Sequence, residues 1–598
     1  MKRMWSLLLC ALLVLSLTAC GQAPVQEPDT SGEPVESAAP EKEFVECSGG
    51  YASAEFVTME DGTEICCLVV RPEKEGQFPT VVTQTCYQQP TEEFSAEYID
   101  GCVGTSAEFV EAGYTFVNIQ TRGTGNSPFE SYLAYIHDTD DELQVFDWIR
   151  QQDFYNGEIF CNGMSYMGFM SMSHLTAPHD DIKAVSLQCP VNARYDAWYQ
   201  NGFLKIGLMG YWQSWMHRPA GHTSTALGNT MDMSLFNTFP YANWPQVMYG
   251  QEDDYWNGII THPKDDDWWR KESAGAYIYD AVAAIDIPVL LYENFYDIFF
   301  EDNCAMWNAF SPGQKAQSAF LIDQFGHTTP HTYKEDGAPF FDKATLLTDF
   351  NIQYVVDFFE SVRNGAEPAN VELGAVTYHP IDGTAWYTEE GNFTAGSEEQ
   401  VLYLNDGTLD AAAGTERAIT YTYDPSDPAV FAASDENGGN GTNGYAGLNT
   451  EPEPGARQDV ITFLGAPVES ETFIKGVLTA DLTVSSDCPD TCFFVRMDVV
   501  KDGVAYNLRE DITSLSHQLG AYTPGDKVTL HFETSPVACQ LNPGDFIRVD
   551  VTSSAAGMYA LHTNQAGNQW EIAEPAVAQN TIYTGSSSIR YFTENLNA

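Results

Sequence analysis

Residues 158–175 read "EIFCNGMSYMGFMSMSHL", and the fold turns on how they are parsed. The apolar run Ile159-Phe160-Cys161 gives way to Asn162-Gly163, then to Ser165, then to a stretch rich in Met and Phe. That succession reads as strand, sharp turn and helix, with the serine on the turn. Small residues around such a serine let the backbone bend and lift the hydroxyl above a sheet. Gly163 stands two residues before Ser165, as a G-x-S-x-G elbow requires, but Gly168 comes one residue later than that pattern places it. A serine among glycines is common in loops, so the rest of the chain has to supply the partners a nucleophile needs.

Working outward, strands alternate with helices. Toward the N-terminus, "EICCLVVRP" (64–72) and "TVVTQTCY" (80–87) read as strands, with a turn at Glu73–Gly76. "SAEFVEAG" (106–113) is a short helix, "YTFVNIQT" (114–121) a strand, and "DELQVFDWIRQQ" (141–152) a helix with Leu143, Phe146 and Ile149 on one face. From about Arg194 to Trp269 the text changes to Trp, Met, Tyr and Asn without β-branched runs, which predicts an inserted, mainly helical cap. The alternation then resumes with "IPVLLYENFYD" (287–297), "EDNCAMWNAFS" (301–311) and "QSAFLIDQFGH" (317–327). "LLTDFNIQYVVDFFESVRNG" (346–365) closes the unit as an amphipathic helix. Strands alternating with helices predict a mostly parallel sheet of α/β type. After about Asn370 only short alternating strands remain, broken by Gly, Pro and Asp, which predicts an antiparallel sandwich.

A serine nucleophile needs a base, and the base an orienting carboxylate, on loops after the late strands in the order Ser, acid, His. Of twelve histidines, His137, His174, His179, His217, His222 and His262 come before those strands, and His517, His531 and His562 lie in the β region. His327, His331 and His379 remain, and His327 follows immediately on the strand "SAFLIDQFG", whose loop points to the active-site end of the sheet. Asp297 directly follows "IPVLLYENFY", one helix and one strand before His327. Its rivals are placed differently, Asp302 within a helix and Asp323 within a strand.

With this constellation a family resemblance becomes specific. "GMSYMG" resembles the G-x-S-Y-x-G of the cocaine-esterase-like (CocE/NonD) hydrolases, relatives of X-prolyl dipeptidyl peptidases and α-amino-acid ester hydrolases. There the late glycine is normal. The resemblance recurs in "YTFVNIQTRGTGNS", "FDWIRQQDFYNGEIF", "ENFYDIFF" and "QFGH", and in "YDPSDPAV", "RQDVITFLGAPVE" and "NPGDFIRVDVTSSA", covering the chain from about residue 50 to 598. It implies an α/β-hydrolase domain with an inserted helical cap and a C-terminal all-β jelly roll. The corresponding ranges are 44–190 with 276–369 for the hydrolase, 191–275 for the cap and 370–598 for the jelly roll.

The resemblance also implies an oxyanion hole made by the hydroxyl of Tyr87 and the backbone N–H of Tyr166, two donors for charge that develops only in the tetrahedral intermediate. Gln120 stands where the family usually has Asp, and Cys86 where Pro usually precedes the tyrosine. Relatives that bind a substrate amine hold it with carboxylates. Glu301, Asp302 and Asp196 are the available acids, at spacings that do not match.

The expected function is therefore a serine hydrolase cleaving an ester or amide through an acyl-enzyme, with Ser165 as nucleophile, His327 as base and Asp297 as its partner. It needs no metal or organic cofactor, and its substrate is a small ester or amide or a short peptide. An exopeptidase releasing X-Pro dipeptides is one alternative. A surface binding lipoprotein on the same scaffold, without catalysis, is another.

The ends and the bulk composition add location. Lys2 and Arg3 precede an apolar run from Leu7 to Leu17, a signal-peptide core too short to span a bilayer. Leu17-Thr18-Ala19-Cys20 resembles a lipobox, which implies cleavage after residue 19 and a lipid anchor on Cys20. Residues 20–43, rich in Pro, Ser, Ala and Glu, form the tether. The expected location is the cell surface, with the membrane met only through that anchor. With 27 basic and 84 acidic residues the net charge is −57, which repels nucleic acid and anionic lipid. Among thirteen cysteines, Cys488 and Cys492 are the nearest pair able to bridge, but the spacing resembles free buried thiols more than a disulfide framework.

Overall fold

The computed structural model describes residues 44–104, 107–176, 179–192, 194–217, 233–271, 285–327, 352–431 and 450–595. The signal segment, Cys20, the tether and His331 lie outside them.

The first domain is built on an eleven-stranded sheet. Its strands in chain order are β1 (Val45–Cys47), β2 (Gly50–Thr58), β3 (Glu64–Arg71), β4 (Phe78–Thr85), β5 (Thr115–Gln120), β6 (Tyr155–Met164), β7 (Ile182–Gln188), β8 (Val289–Tyr296), β9 (Ala319–Gly326), β10 (Ala375–Tyr378) and β11 (Tyr387–Glu390). Across the sheet they run β1-β2-β3-β5-β4-β6-β7-β8-β9-β10-β11. From β5 to β10 every pairing is parallel, and the edge pairs are antiparallel. The central strands are buried on both faces, every residue of β5 and β8 included, which is why they read as continuous apolar runs. Helices α1 (Asp138–Ile149), α2 (Tyr166–Ser173), α3 (Phe300–Ala309) and α4 (Ile352–Asn364) connect or cover the strands. The α4 face bearing Val355, Val356, Phe358 and Phe359 closes one side, with Phe359 4.8 Å from Phe160 and 6.0 Å from Phe109, ring to ring.

The sheet overruns the boundary expected at residue 370. β10 and β11 lie past it, yet they extend the hydrolase sheet, β10 pairing parallel with β9. An edge hairpin has the same two-residue alternation as a sandwich strand, so periodicity cannot assign it to one sheet or the other.

The described cap is a set of short helices, Arg194–Trp198, Tyr211–Met216, Trp244–Tyr249, Asp254–Thr261 and Asp267–Lys271, with a two-residue hairpin at Tyr199–Gln200 and Phe203–Leu204. Its aromatic residues form their own core, in which Trp198, Trp244, Trp256 and Trp269 have no exposed surface.

Beyond residue 398 two antiparallel sheets pack together, one containing Glu398–Leu404, Arg417–Tyr423, Thr479–Ser486, Ala578–Thr584 and Ser588–Glu594, the other Ile461–Leu464, Cys492–Lys501, Val504–Ser514 and Phe546–Thr552. Their core is continuous with that of the hydrolase sheet. The strand Val504–Ser514 presses against the end of β8: Tyr296 donates its hydroxyl to the Asn507 carbonyl at 2.8 Å, and the Arg509 guanidinium lies over the rings of Phe295, Tyr296 and Phe300. All eleven described cysteines are free, Cys488 and Cys492 among them.

Candidate active site

Ser165 joins β6 to α2 with φ 59° and ψ −128°, a conformation an L-residue adopts only when its surroundings hold it there. They do so through three backbone hydrogen bonds. The Ser165 N–H donates to the Gln188 carbonyl at the end of β7 at 2.8 Å, and the Ser165 carbonyl accepts from Val191 and Phe169. The two flanking glycines have separate tasks. A Cβ on Gly163 would stand 2.2 Å from the Met167 carbonyl oxygen, so the turn itself excludes one. A Cβ on Gly168 would stand 2.8 Å from Pro190 Cβ and 3.0 Å from its Cα. The late glycine thus serves the approach of α2 to the loop after β7 rather than the bend.

The three residues expected to act together converge. His327, one residue past β9, has Nε2 2.8 Å from Ser165 Oγ and Nδ1 2.5 Å from Asp297 Oδ2. Asp297, one residue past β8, is wholly buried and accepts the Phe299 N–H on its other oxygen at 2.7 Å. His327 keeps 17% of its side chain exposed. Its ring lies edge-on to Phe299 at 5.4 Å. Among the rivals, Asp302 lies in α3 and Asp323 in β9, and buried His379 bonds the Pro380 carbonyl.

Tyr87, two residues past β4, brings its hydroxyl within hydrogen-bonding reach of Ser165. It accepts the indole N–H of Trp212 at 3.1 Å. Burial pushes its pKa well up, so the phenol stays protonated and able to donate. Tyr166 is the first residue of α2, so its N–H has no acceptor within the helix. Its side chain turns away into the core. There the hydroxyl donates to Asp138 Oδ2 at 2.6 Å and also receives the Tyr135 N–H. Burial raises the Asp138 carboxyl to about 7, against the lowering effect of the Tyr166 hydroxyl.

A cavity of about 280 Å³ opens on Ser165 and His327. Its other described walls include Met164, Met167, Val191, Met209, Trp212 and Phe299. None of Glu301, Asp302 and Asp196 is among the described residues of this wall. Glu301 instead lines a smaller cavity between cap, β8 and the β domain, accepting from Ser535 at 3.0 Å, and Asp302 is buried in α3. Of the cap tryptophans, Trp212 reaches the cavity, whereas Trp256 and Trp269 are spent in the cap core. Gln120 is buried, its side-chain oxygen accepting the Asn126 N–H at 2.5 Å, and it holds the turn after β5.

Sequence reasoning missed Val191 and Phe299, which follow β7 and β8 within three residues, so the rule that sites gather at the carboxyl ends of parallel strands points to them. Nothing local sets Trp212 apart from the other tryptophans of the cap.

The comparisons with known proteins agree with this architecture. Residues 61–329 match the X-Pro dipeptidyl-peptidase (S15 family) model, and residues 370–591 match the X-Pro dipeptidyl-peptidase C-terminal non-catalytic domain. The cocaine esterase of Rhodococcus sp. (strain MB1 Bresler) is 23% identical over 578 residues, 90% of this chain and 97% of that one. Among solved structures, an α-amino acid ester hydrolase superposes with a TM-score of 0.76 at 18% identity, covering 96% of this chain and all of its own. An aminopeptidase from a marine sediment archaeon, Thaumarchaeota archaeon, gives 0.74 at 16%, covering 96% and 100%. A CocE/NonD family hydrolase from Staphylococcus aureus gives 0.62 at 15%, covering 95% and 99%.

Proposed function

Since this chain belongs to the CocE/NonD family of serine hydrolases, relatives of the S15 X-Pro dipeptidyl peptidases, we propose that it cleaves carboxylic esters of apolar acyl groups through an acyl-enzyme on Ser165. The observation that carries the reading is the chain of contacts from Ser165 Oγ through His327 to Asp297, opening on an apolar cavity.

In this reaction Ser165 Oγ attacks the acyl carbonyl while His327 Nε2 takes its proton, and Asp297 holds the imidazole in the tautomer with hydrogen on Nδ1. The carbonyl oxygen, now an oxyanion, receives the Tyr87 hydroxyl and the Tyr166 N–H. Collapse expels the alcohol, which leaves with the proton from Nε2. Water then repeats the cycle on the acyl-enzyme and frees the acid.

The wall composition separates the alternatives. A free ammonium group, as an aminoacyl ester or an X-Pro peptide carries, would be desolvated among methionine and aromatic side chains with no carboxylate among the described lining residues. Simple esters avoid that cost. The reading includes attachment outside the cytoplasm through Cys20, supported by the signal and lipobox pattern.

Labelling with a fluorophosphonate probe is expected for the wild type and absent from Ser165→Ala. Labelling that survives the substitution removes Ser165 as nucleophile. A panel of aryl esters, aminoacyl esters and X-Pro amides tests the substrate class, and a preference for the last two would overturn the apolar reading. Intact mass of membrane-extracted protein, compared with Cys20→Ala, tests the anchor.

A further inference from the structure

The residue that follows β7 stands behind the acid–base pair. Cys189 is fully buried at φ 44°, its N–H bonded to the Tyr292 carbonyl at 2.8 Å and its Sγ receiving Asn294 Nδ2 at 3.4 Å. Its Sγ, a carboxylate oxygen of Asp297 and a ring nitrogen of His327 all lie within 4.8 Å of one another. Thiolate, carboxylate and imidazole together are the donor set of zinc and its softer congeners, not of calcium or magnesium. Bonds of roughly 2.0–2.3 Å to such an ion require the acid and the imidazole to part slightly and the sulfur to draw in, movements on the scale of side-chain rotation. The cavity gives the side of approach, because partly exposed His327 borders it and Val191, two residues past buried Cys189, is part of its wall.

We propose that Cys189, Asp297 and His327 form a binding site for a soft divalent cation, Zn²⁺ or Cd²⁺, whose occupancy switches the hydrolase off. The ion takes the Cys189 sulfur, an Asp297 oxygen and His327 Nδ1. The thiol proton leaves to solvent, and the proton displaced from Nδ1 reappears on Nε2. Nε2 then donates to Ser165 Oγ and has no lone pair for the serine proton. The ion occupies the place that the Nδ1 proton holds in the active form, so metal and catalysis exclude each other. Inhibition rests on the assignment of His327 as base, whereas binding rests on the three donors alone.

The test titrates the purified, reduced, metal-free protein with Cd²⁺, following the ultraviolet thiolate-to-cadmium absorbance and aryl-ester hydrolysis together. One equivalent of Cys189-dependent absorbance is expected to rise as activity falls, both reversed by EDTA. In Cys189→Ala the band is lost. Half-inhibition, taken relative to that variant's own metal-free rate, moves to at least roughly tenfold higher Cd²⁺, since losing even an outer partner of a metal costs about 10–100-fold in affinity. Cys161→Ala, at a second buried group of Glu142, Cys161 and His174, is expected to behave as wild type. Wild-type sensitivity in Cys189→Ala, or no absorbance dependent on Cys189, overturns the proposal. If Cys189→Ala does not fold, Cys189→Ser supplies the same comparison. A protein that binds Cd²⁺ through Cys189 but hydrolyses no ester would refute the function and leave the site standing.

Discussion

Replacing Tyr87 with Phe removes one oxygen from the site and little else. That hydroxyl is within reach of Ser165 and accepts the Trp212 indole N–H at 3.1 Å. Trp212 can only donate, so its bond occupies a lone pair of the phenol and leaves the phenol's single proton for the pocket. Loss of one oxyanion donor costs about 10²–10³ in kcat, or roughly 2.7–4 kcal/mol. The charge it meets exists only in the transition state, so KM is expected to stay within about twofold while kcat carries the loss. Stability falls as well, because the Trp212 N–H loses its acceptor at a cost of about 1–3 kcal/mol, nearer the lower figure for a partly buried group. Steady-state kinetics on an aryl ester and thermal unfolding measure the two separately. A cycle with Trp212→Phe adds a check. If Trp212 acts through the phenol, the double variant matches Tyr87→Phe in kcat within about 0.5 kcal/mol. A kcat within a few-fold of wild type, or a loss confined to KM, would refute the assignment of Tyr87 to the oxyanion.

Four further outcomes follow from the geometry. Asp297→Asn keeps the shape of the acid but no longer selects the Nδ1–H tautomer of His327, so kcat is expected to fall about 10⁴-fold, and a loss below tenfold speaks against the acid. Gly168→Ala drives a methyl into Pro190, whose ring cannot swing aside, and is expected to destabilise by about 1–3 kcal/mol, seen as a lower urea midpoint. Burial raises the Asp138 carboxyl to about 7, so the folded state binds its proton more tightly than the unfolded chain does. That contribution is full below the unfolded value of about 3.9 and is lost as pH rises toward the folded one; Asp138→Asn is expected to lose less stability than wild type across that window, and equal slopes would contradict it. With every described cysteine free, dithiothreitol is expected to leave Tm unchanged, whereas reducing a structural disulfide would remove about 2–5 kcal/mol.

Much of the site could be read without coordinates. A parallel sheet sends the loops after its strands to one end, so chain order alone constrains which serine, acid and histidine can meet. Ser165 after β6, Asp297 after β8 and His327 after β9 meet that constraint, and each is marked by its own strand pattern. Patterns of this kind are local: apolar period, turn chemistry and small residues at a bend all act within a dozen positions. What they settle for this protein is the alternation of strands and helices, the cap inserted between β7 and β8, and the elbow.

Packing between distant segments decided the rest. Gly168 is needed because Pro190 lies against α2, a contact no spacing within "GMSYMG" reveals. Trp212 reaches Tyr87 across 125 positions, while neighbouring cap tryptophans of the same composition turn into the cap's own core. The acids following Asp297 point away from the described cavity wall, so an acidic composition does not make an acidic pocket. β10 and β11 join the hydrolase sheet although their alternation suits a sandwich equally well. Sequence periodicity states which face of an element is apolar. Which partner covers that face, and which side chains meet over Ser165, depend on how elements hundreds of residues apart fill the same space.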